Sequence, residues 1–412
     1  MNLLDQRRGR IALFSLLYLS EGGPIGFIWW ALPTLLRKAG VAVPRITALT
    51  AILVLPWVFK FLWAPLVDAL RTPRWGFRSW IITAQLAMGF TLLPLVWLDP
   101  VEHFQWWAAL LLAHAFCAAT QDVAIDALAI NIVPEHQRGL LNGCMQSGML
   151  VGRSLFGGGA LLVAATLGKA WVIAALVVCI WITLLLLLFS KEPVQSVAFK
   201  KRLAEFRTHF SSALRRRTTW LGLALALTAA AGFEATGQLA GPFLVDRDVS
   251  EQAIAIFFGV AVVGATLIGG LIGGKLSDIW GRARTVGIFL AGFVAMIVGL
   301  ALCDLAMEKP AAPILLGWLT GMYLFIGLFT AASYALFMDL TDARLGGTQF
   351  SAFMSATNGC ESWSAWAGGR IVGGANYAAA FLALSVVSLL SLPLLKWLAH
   401  ERNRKRDQPG VS

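Results

Sequence analysis

Two carboxylates and a run of polar residues stand where an apolar helix is expected. In "ATQDVAIDALAINIVPEHQRG" (119–139), Asp122 and Asp126 lie four residues apart. On a helix that spacing places both acids on one face, where like charges repel and a proton or a cation is needed between them. Gln121 lies next to them, and His114 shares the face of Gln121 and Asp122. In "LYLSEGGPIGFIWWALP" (17–33), Glu21 sits among Gly22, Gly23, Pro24 and Gly26. Glu234 occupies a matching place in "AAAGFEATGQLAGP", with Gln238 one turn on. Arg153, Glu361, Lys60 and Arg370 complete the set of ionisable groups inside apolar runs.

An ionisable group at membrane depth costs roughly 3 kcal/mol on insertion scales, so each needs a reason to be there. Proton carriage, recognition of a charged solute, and static helix pairing are the three chemistries open to these residues. Counting inward from the cytoplasmic side, Arg153 lies as deep as Asp122, and an Asp122–Arg153 pair is expected to offset part of both penalties. Glu361 holds the place in the second half that Arg153 holds in the first, and could carry a proton or pair with Lys60. Glu21 and Glu234 are expected to stay wet on helices loosened by glycine and proline where they face a cavity. Arg370, near a span end, is expected to snorkel. Trp29, Trp30, Trp57, Trp363 and Trp366 lie deep enough to line such a cavity and stack on a ring-bearing solute.

These residues are carried by long apolar segments. The chain has 412 residues, 58% of them hydrophobic and only 13% charged, with a mean hydropathy of +0.73. A soluble chain carries about twice that charged fraction. Windows of about 20 apolar residues, the length of a span, fall near 11–36, 47–70, 79–98, 106–131, 140–163, 168–190, 219–245, 252–274, 285–306, 312–338, 349–373 and 376–399. The fold class expected is an all-α polytopic membrane protein with twelve transmembrane helices in two pseudo-symmetric six-helix bundles. The bundles are 1–190 and 219–412, the second ending in a short tail, joined by a basic linker at 191–218. The first apolar run starts at Ile11 and is too long for a cleavable signal core.

The net charge of +11 is explained by topology without invoking nucleic acid. With a cytoplasmic N-terminus, the outside connections hold only Arg37, Lys38, Arg45, Lys169, Arg247 and Lys309, and the spans hold Lys60, Arg153 and Arg370. The remaining Lys and Arg are inside, which places both termini in the cytoplasm. "KKRLAEFRTHFSSALRRR" (200–217) reads as a cytoplasmic amphipathic linker resting on anionic lipid. The five cysteines all lie in apolar runs and show neither disulfide nor metal spacing. No Walker loop, Cys/His cluster or nucleophile elbow occurs, so neither cofactor, metal site nor catalytic residue is expected. Gly148 and Gly152 have the spacing of close helix packing.

The two halves repeat. Pro33 is matched by Pro242, Asp68 by Asp278 and Gly139 by Gly347, all at nearly one offset. Such repeats are a transporter architecture with the solute site near the midplane. "GGKLSDIWGRART" (273–285) places Gly274, Asp278, Gly281, Arg282 and Arg284 in a tight turn. There the glycines allow close helix approach and a sharp turn, and Asp278 can pair with Arg282, Arg284 or a neighbouring helix end. The first-half copy, "APLVDALRTPRWGFRSW", keeps Asp68, Arg71, Gly76 and Arg78 without the leading glycine.

This loop resembles the signature of the major facilitator superfamily. "LPWVFKFLWAPLVDAL" (55–70) and the Gln121–Asp122–Asp126 run resemble the branch of the AmpG-type muropeptide permeases, the acetyl-CoA transporters and the short importers of rhizobactin and pyochelin. The resemblance covers most of the first half and is weaker in the second. It implies a proton-driven secondary transporter of the bacterial inner membrane, monomeric, importing an amphipathic ring-bearing solute by alternating access. The muropeptide permeases are usually longer, so length favours a siderophore, with a muropeptide second and drug or acyl-CoA transport third. A membrane sensor or membrane enzyme on this fold is the alternative class. No connection is long enough for a sensor domain, and no catalytic constellation is found.

Overall fold

A computed structural model describes residues 2–70, 72, 75–192, 216–307, 309–341 and 346–398, without the side chains of 68, 69, 135, 136, 138, 139 and 346–348. The described residues are almost entirely helical. Their long helices are α1 Arg7–Lys38, α2 Val43–Leu62, α3 Phe77–Val96, α4 Phe104–Ile132, α5 Glu135–Thr166 and α6 Lys169–Leu188, then α7 Arg217–Asp246, α8 Glu251–Trp280, α9 Arg282–Ala306, α10 Ala312–Leu340, α11 Gly346–Gly374 and α12 Tyr377–Leu398. Eleven of them are long and apolar enough to cross a membrane. The exception is α11, which at 29 residues has ample length for a span. Asn358, Glu361, Ser362, Ser364 and Arg370 make it too polar to qualify.

The described residues form two compact units. One contains α1, α3, α4, α5 and α6, with the end of α2 and residues Ser250–Val260 of α8. The other contains Ala42–Val58 of α2, α7, the rest of α8, and α9 to α12. Helices α2 and α8 are repeat-equivalent, and each sends its first turns into the unit built mainly from the opposite half. The six-plus-six division at 1–190 and 219–412 describes the repeat, while compactness groups these two helix starts the other way.

In the first unit, α1 lies against α5 along a seam of glycines. A Cβ on Gly22 would meet the backbone of Met149, and one on Gly26 the backbone of Arg153. From the other side, Gly148 faces the Ser15 carbonyl and Gly152 the Leu19 carbonyl. In a bilayer, where helix association relies on van der Waals packing, this close approach is what binds the pair. The glycines after Glu21 therefore do not loosen α1, as the sequence suggested; they let it lie against α5. The helix continues through Pro24 and adjusts by a π-helical turn at Phe27–Ala31, a usual accommodation next to a missing backbone donor.

In the second unit, Gly269, Gly273 and Gly327 bring α8 onto α10: a Cβ on Gly273 would strike the backbone of Leu328, and one on Gly327 that of Thr266. Gly274 has open space at its Cβ position, so the close approach expected of it belongs to its neighbour. Thr47 and Pro44 of α2 face Gly369 and Gly373 of α11, and Ser362 Oγ donates to the Ala51 carbonyl at 2.8 Å.

Candidate functional site

The first unit gathers most of the buried charge. Helix α2 loses its α-helical geometry at Phe59 (φ −100°, ψ 2°), and a 3-10 turn, Lys60–Leu62, closes it. That turn carries Lys60 to α4, where its Nζ forms an ion pair with Asp122. This replaces the Asp122–Arg153 pair expected from depth. Equal depth does not make two helices neighbours, and the irregular end of α2 is what reaches α4. One turn along, Asp126 accepts a hydrogen bond from Tyr18 Oη of α1 at 2.6 Å. The two acids on one helix face thus have different partners, a cation for one and a phenol for the other, which relieves their mutual repulsion.

Glu21 follows Tyr18 by three residues on α1 and is only 2% exposed, so it is not the wet carboxylate the sequence suggested. Its Oε2 is buried and has no hydrogen-bond partner. Asp122, Asp126, Lys60 and Arg153 all lie within electrostatic range of it. Arg153, on the α5 side of the glycine seam, has a buried Nε with no partner.

A polar layer continues from this cluster. Gln85 Nε2 donates to Thr183 Oγ1 at 2.9 Å and to Ser20 Oγ at 3.3 Å, joining α3, α6 and α1. Gln121 is buried with both amide atoms unpartnered. His114 contacts the Met88 carbonyl through Nδ1 at 3.2 Å, and its Nε2 is unpartnered. Sequence reasoning missed Tyr18 altogether and noted Lys60 without assigning it to a site. Tyrosine is scarce in this chain, with four in all, and one placed a turn from a membrane acid was the available signal.

The second unit has its own smaller group. Gln238 Nε2 donates to Glu361 Oε1 at 2.9 Å, while Lys60, one of the two alternatives for Glu361 in the sequence, forms its ion pair with Asp122. Cys360 is buried within electrostatic range of Glu234 and Glu361. Trp363 Nε1 donates to the Leu227 carbonyl at 2.8 Å, which fixes that ring between α11 and α7. Among the other tryptophans, Trp30 stacks on Phe258 with centroids 5.7 Å apart. Trp57 is buried, Trp29 is half-buried and Trp366 is exposed.

The α8–α9 turn has the geometry its motif implied. Gly281 adopts φ +88°, a left-handed conformation that favours glycine. Arg282 Nη1 pairs with Asp278 Oδ1 at 2.5 Å, and its Nε lies 3.7 Å from Asp339 of α10. Arg284 is exposed in the first turn of α9. In the first-half copy, Arg71 and the Asp68 side chain lie outside the described residues, as does most of the 191–218 linker. Arg78 Nε caps α6 by donating to the Leu187 carbonyl at 2.8 Å, while its backbone N–H donates to Glu192 Oε2 at 2.9 Å.

The fold is that of polytopic transporters. The D-xylose–proton symporter aligns with a TM-score of 0.73 over 93% of this chain and 96% of its own at 12% identity. A bacterial homologue of the lysosomal transporter Spinster aligns with a TM-score of 0.68 over 96% and 95% at 15% identity. A family model described as Major Facilitator Superfamily matches residues 14–362, and the chain belongs to that family as a multi-pass membrane transporter. It is 31% identical over 316 residues to the anhydromuropeptide permease of Escherichia coli, covering 73% of this chain and 61% of that protein's length. It is 23% identical over 390 residues to a putative transporter AmpG 4 of Rickettsia conorii, covering 92% and 94%.

Proposed function

We propose that this secondary transporter couples inward proton movement to import of an anhydromuropeptide across the bacterial inner membrane, with both termini cytoplasmic and the chain working as a monomer in the bilayer. The observation that carries the coupling is the division of partners in the first unit. Lys60 holds Asp122, Tyr18 holds Asp126, and Glu21 is left buried within electrostatic range of both acids with an unpartnered oxygen. Among the described residues, Glu21 is the one of the three acids that can gain and release a proton without breaking an ion pair or a hydrogen bond.

The solute class rests on the similarity to the anhydromuropeptide permease. Chain length, which in sequence favoured a siderophore, loses its force: the Rickettsia protein bearing the AmpG name matches over 92% of this chain and 94% of its own length. A muropeptide also suits the polar, aromatic-flanked helices, since its sugar ring stacks and its peptide offers charge. Within the second unit the proposed solute contacts are Gln238, Glu234, Glu361, Trp57 and Trp363, and within the first unit, taken by itself, Trp29, Trp30 and Gln121.

The test uses right-side-out membrane vesicles with an imposed inward proton gradient. Radiolabelled anhydro-N-acetylmuramyl tripeptide and radio-iron complexes of pyochelin and rhizobactin are offered separately, with and without protonophore. Accumulation of the muropeptide that collapses with protonophore is expected. Accumulation of a siderophore in its place overturns the solute, and protonophore-insensitive accumulation overturns the coupling.

A further inference from the structure

We infer that Arg153 is the receptor for a carboxylate on the transported solute, and that Glu21 must be protonated before that carboxylate can bind. This rests on the proton-coupled reading above and extends it to the chemistry of the solute.

A guanidinium stays charged under all physiological conditions, and Arg153, half-buried with its Nε fully buried, is the kind of cation that favours an anion beside it. Arg153 has none fixed to it: its Nε is buried and unpartnered, and no ion pair or hydrogen bond of its side chain occurs among the described residues. The acids that could serve are accounted for. Asp122 is taken by Lys60 and Asp126 by Tyr18, which leaves Glu21, whose Oε2 is itself unpartnered. Glu21 and Arg153 lie within electrostatic range on helices locked together where Gly22 meets Met149 and Gly26 meets Arg153.

The α1–α5 seam is packed backbone to backbone, so the two helices cannot shift to close the pair without losing the seam. The arrangement holds an acid and a cation near each other but unjoined, which is the geometry of a site awaiting a third group. A planar guanidinium accepts a carboxylate through two parallel hydrogen bonds.

The titratable and charged groups around Glu21 are the neutral phenol of Tyr18 on its own helix, Asp122 and Asp126 on α4, Lys60 at the end of α2 and Arg153 on α5. Helix α6, also packed on α1, has no charged residue after Lys169. With Glu21 ionised, the cluster holds three carboxylates against two cations, and a fourth anion is repelled. With Glu21 protonated the cluster is neutral and the guanidinium is available. Proton and solute carboxylate therefore enter together, one for one, and the carboxylate leaves when Glu21 gives up its proton.

The experiment has two arms on the purified full chain in nanodiscs. The first measures thermal stabilisation by acetate, a carboxylate independent of any solute identity, in wild type, Glu21→Gln, Arg153→Gln and Arg153→Lys. Glu21→Gln, which mimics the protonated site, should be stabilised by acetate at neutral pH and wild type only at lower pH. Arg153→Gln should show no acetate effect at either pH, and Arg153→Lys a weaker one. Absence of acetate stabilisation in Glu21→Gln overturns the inference, whatever the solute.

The second arm measures binding of anhydro-N-acetylmuramyl tripeptide and of the same compound with its carboxyls amidated. Wild type should favour the acid by about 10- to 100-fold, the range of a hydrogen bond to a charged group. Arg153→Gln should lose that preference while keeping affinity for the amide. A Gln variant that weakens acid and amide equally makes Arg153 a packing residue and overturns the inference. Acetate stabilisation with no muropeptide binding in wild type sinks the muropeptide reading and leaves the carboxylate receptor standing.

Discussion

Lys60 at the 3-10 end of α2 and Asp122 in the middle of α4 form an ion pair, and that pair fixes where the charge in the first unit resides. Both side chains are mostly buried, Lys60 at 22% exposure and Asp122 at 10%. Breaking a buried pair from one side strands a charge and costs about 3–5 kcal/mol, whereas removing both partners is close to neutral. Lys60→Met and Asp122→Asn alone should each lower thermal stability sharply, and the double variant should recover most of the loss. A double-mutant cycle in detergent reads the coupling directly. If instead Asp122→Asn is rescued by Arg153→Gln and not by Lys60→Met, the pairing drawn from depth would be the correct one.

The hydrogen bond from Tyr18 to Asp126 ties α1 to α4 and is predicted to stabilise the fold. The 2.6 Å bond joins a phenol to a carboxylate, and hydrogen bonds to charged groups contribute about 1.5–3 kcal/mol. Tyr18→Phe should therefore destabilise the wild-type protein by that amount. In an Asp126→Asn background the same change should cost much less, because the charge is gone. Equal losses in both backgrounds would make Tyr18 an apolar packing residue.

The α1–α5 seam gives a steric prediction with its own control. Gly22→Ala and Gly26→Ala each drive a Cβ into backbone atoms of α5, and backbone cannot rotate away as a side chain can. Both should yield little folded protein by fluorescence-detected size exclusion. Gly143, on the same helix α5 but with nothing within 4 Å of its Cβ position, should accept alanine with a gain of up to about 1 kcal/mol from helix propensity. A well-folded Gly26→Ala protein is the result that contradicts the seam.

Outside the spans, Asp99 carries a pH dependence with a defined sign. The hydrogen bond from Lys169 Nζ at 2.9 Å, then the one from the Val101 N–H at 2.8 Å, hold its carboxyl at about 2, below the usual carboxylate value. A depressed carboxylate contributes stability that is complete above the ordinary carboxylate range and lost as pH falls towards 2. Lys169→Met should remove most of that dependence. Because the pair is largely exposed, the change at neutral pH should stay below about 1 kcal/mol. Thermal melts of both proteins from pH 7 down to pH 3 make the comparison, and a steeper acid loss in Lys169→Met would reverse the assignment.

Much of the fold was legible in sequence because its signals are local. Span length, the Asp278–Gly281–Arg282 turn and the Gly148–Gly152 spacing each depend on residues within a turn or two of one another. The site was legible only as a set of residue types. Asp122, Asp126, Glu21 and Arg153 declared themselves by being charged in apolar runs, but their pairing depends on which helices touch. That is decided by the break at Phe59, which no periodicity marks, and by glycines read as flexibility that instead serve contact. Gly273 and Gly274 show the limit at its smallest: adjacent and identical, they differ only in which faces α10.

The α8–α9 turn yields the last prediction. Arg282 bonds Asp278 at 2.5 Å and reaches towards Asp339 at 3.7 Å, so one guanidinium ties the end of α8 to the end of α10. The Asp278 side chain is well exposed at 66%, and an exposed pair contributes no more than about 1 kcal/mol to stability. Its effect should therefore appear in transport rate. Arg282→Lys keeps the charge but cannot hold two carboxylates in the geometry of a planar fork. Arg282→Lys and Asp339→Asn should each leave the melting temperature within a few degrees of wild type while lowering the initial rate of muropeptide uptake, and the double variant should be no slower than Arg282→Lys alone. Additive losses in the double variant would mean that Asp339 acts independently of Arg282, and the tie between the two helix ends would then have no part in the transport cycle.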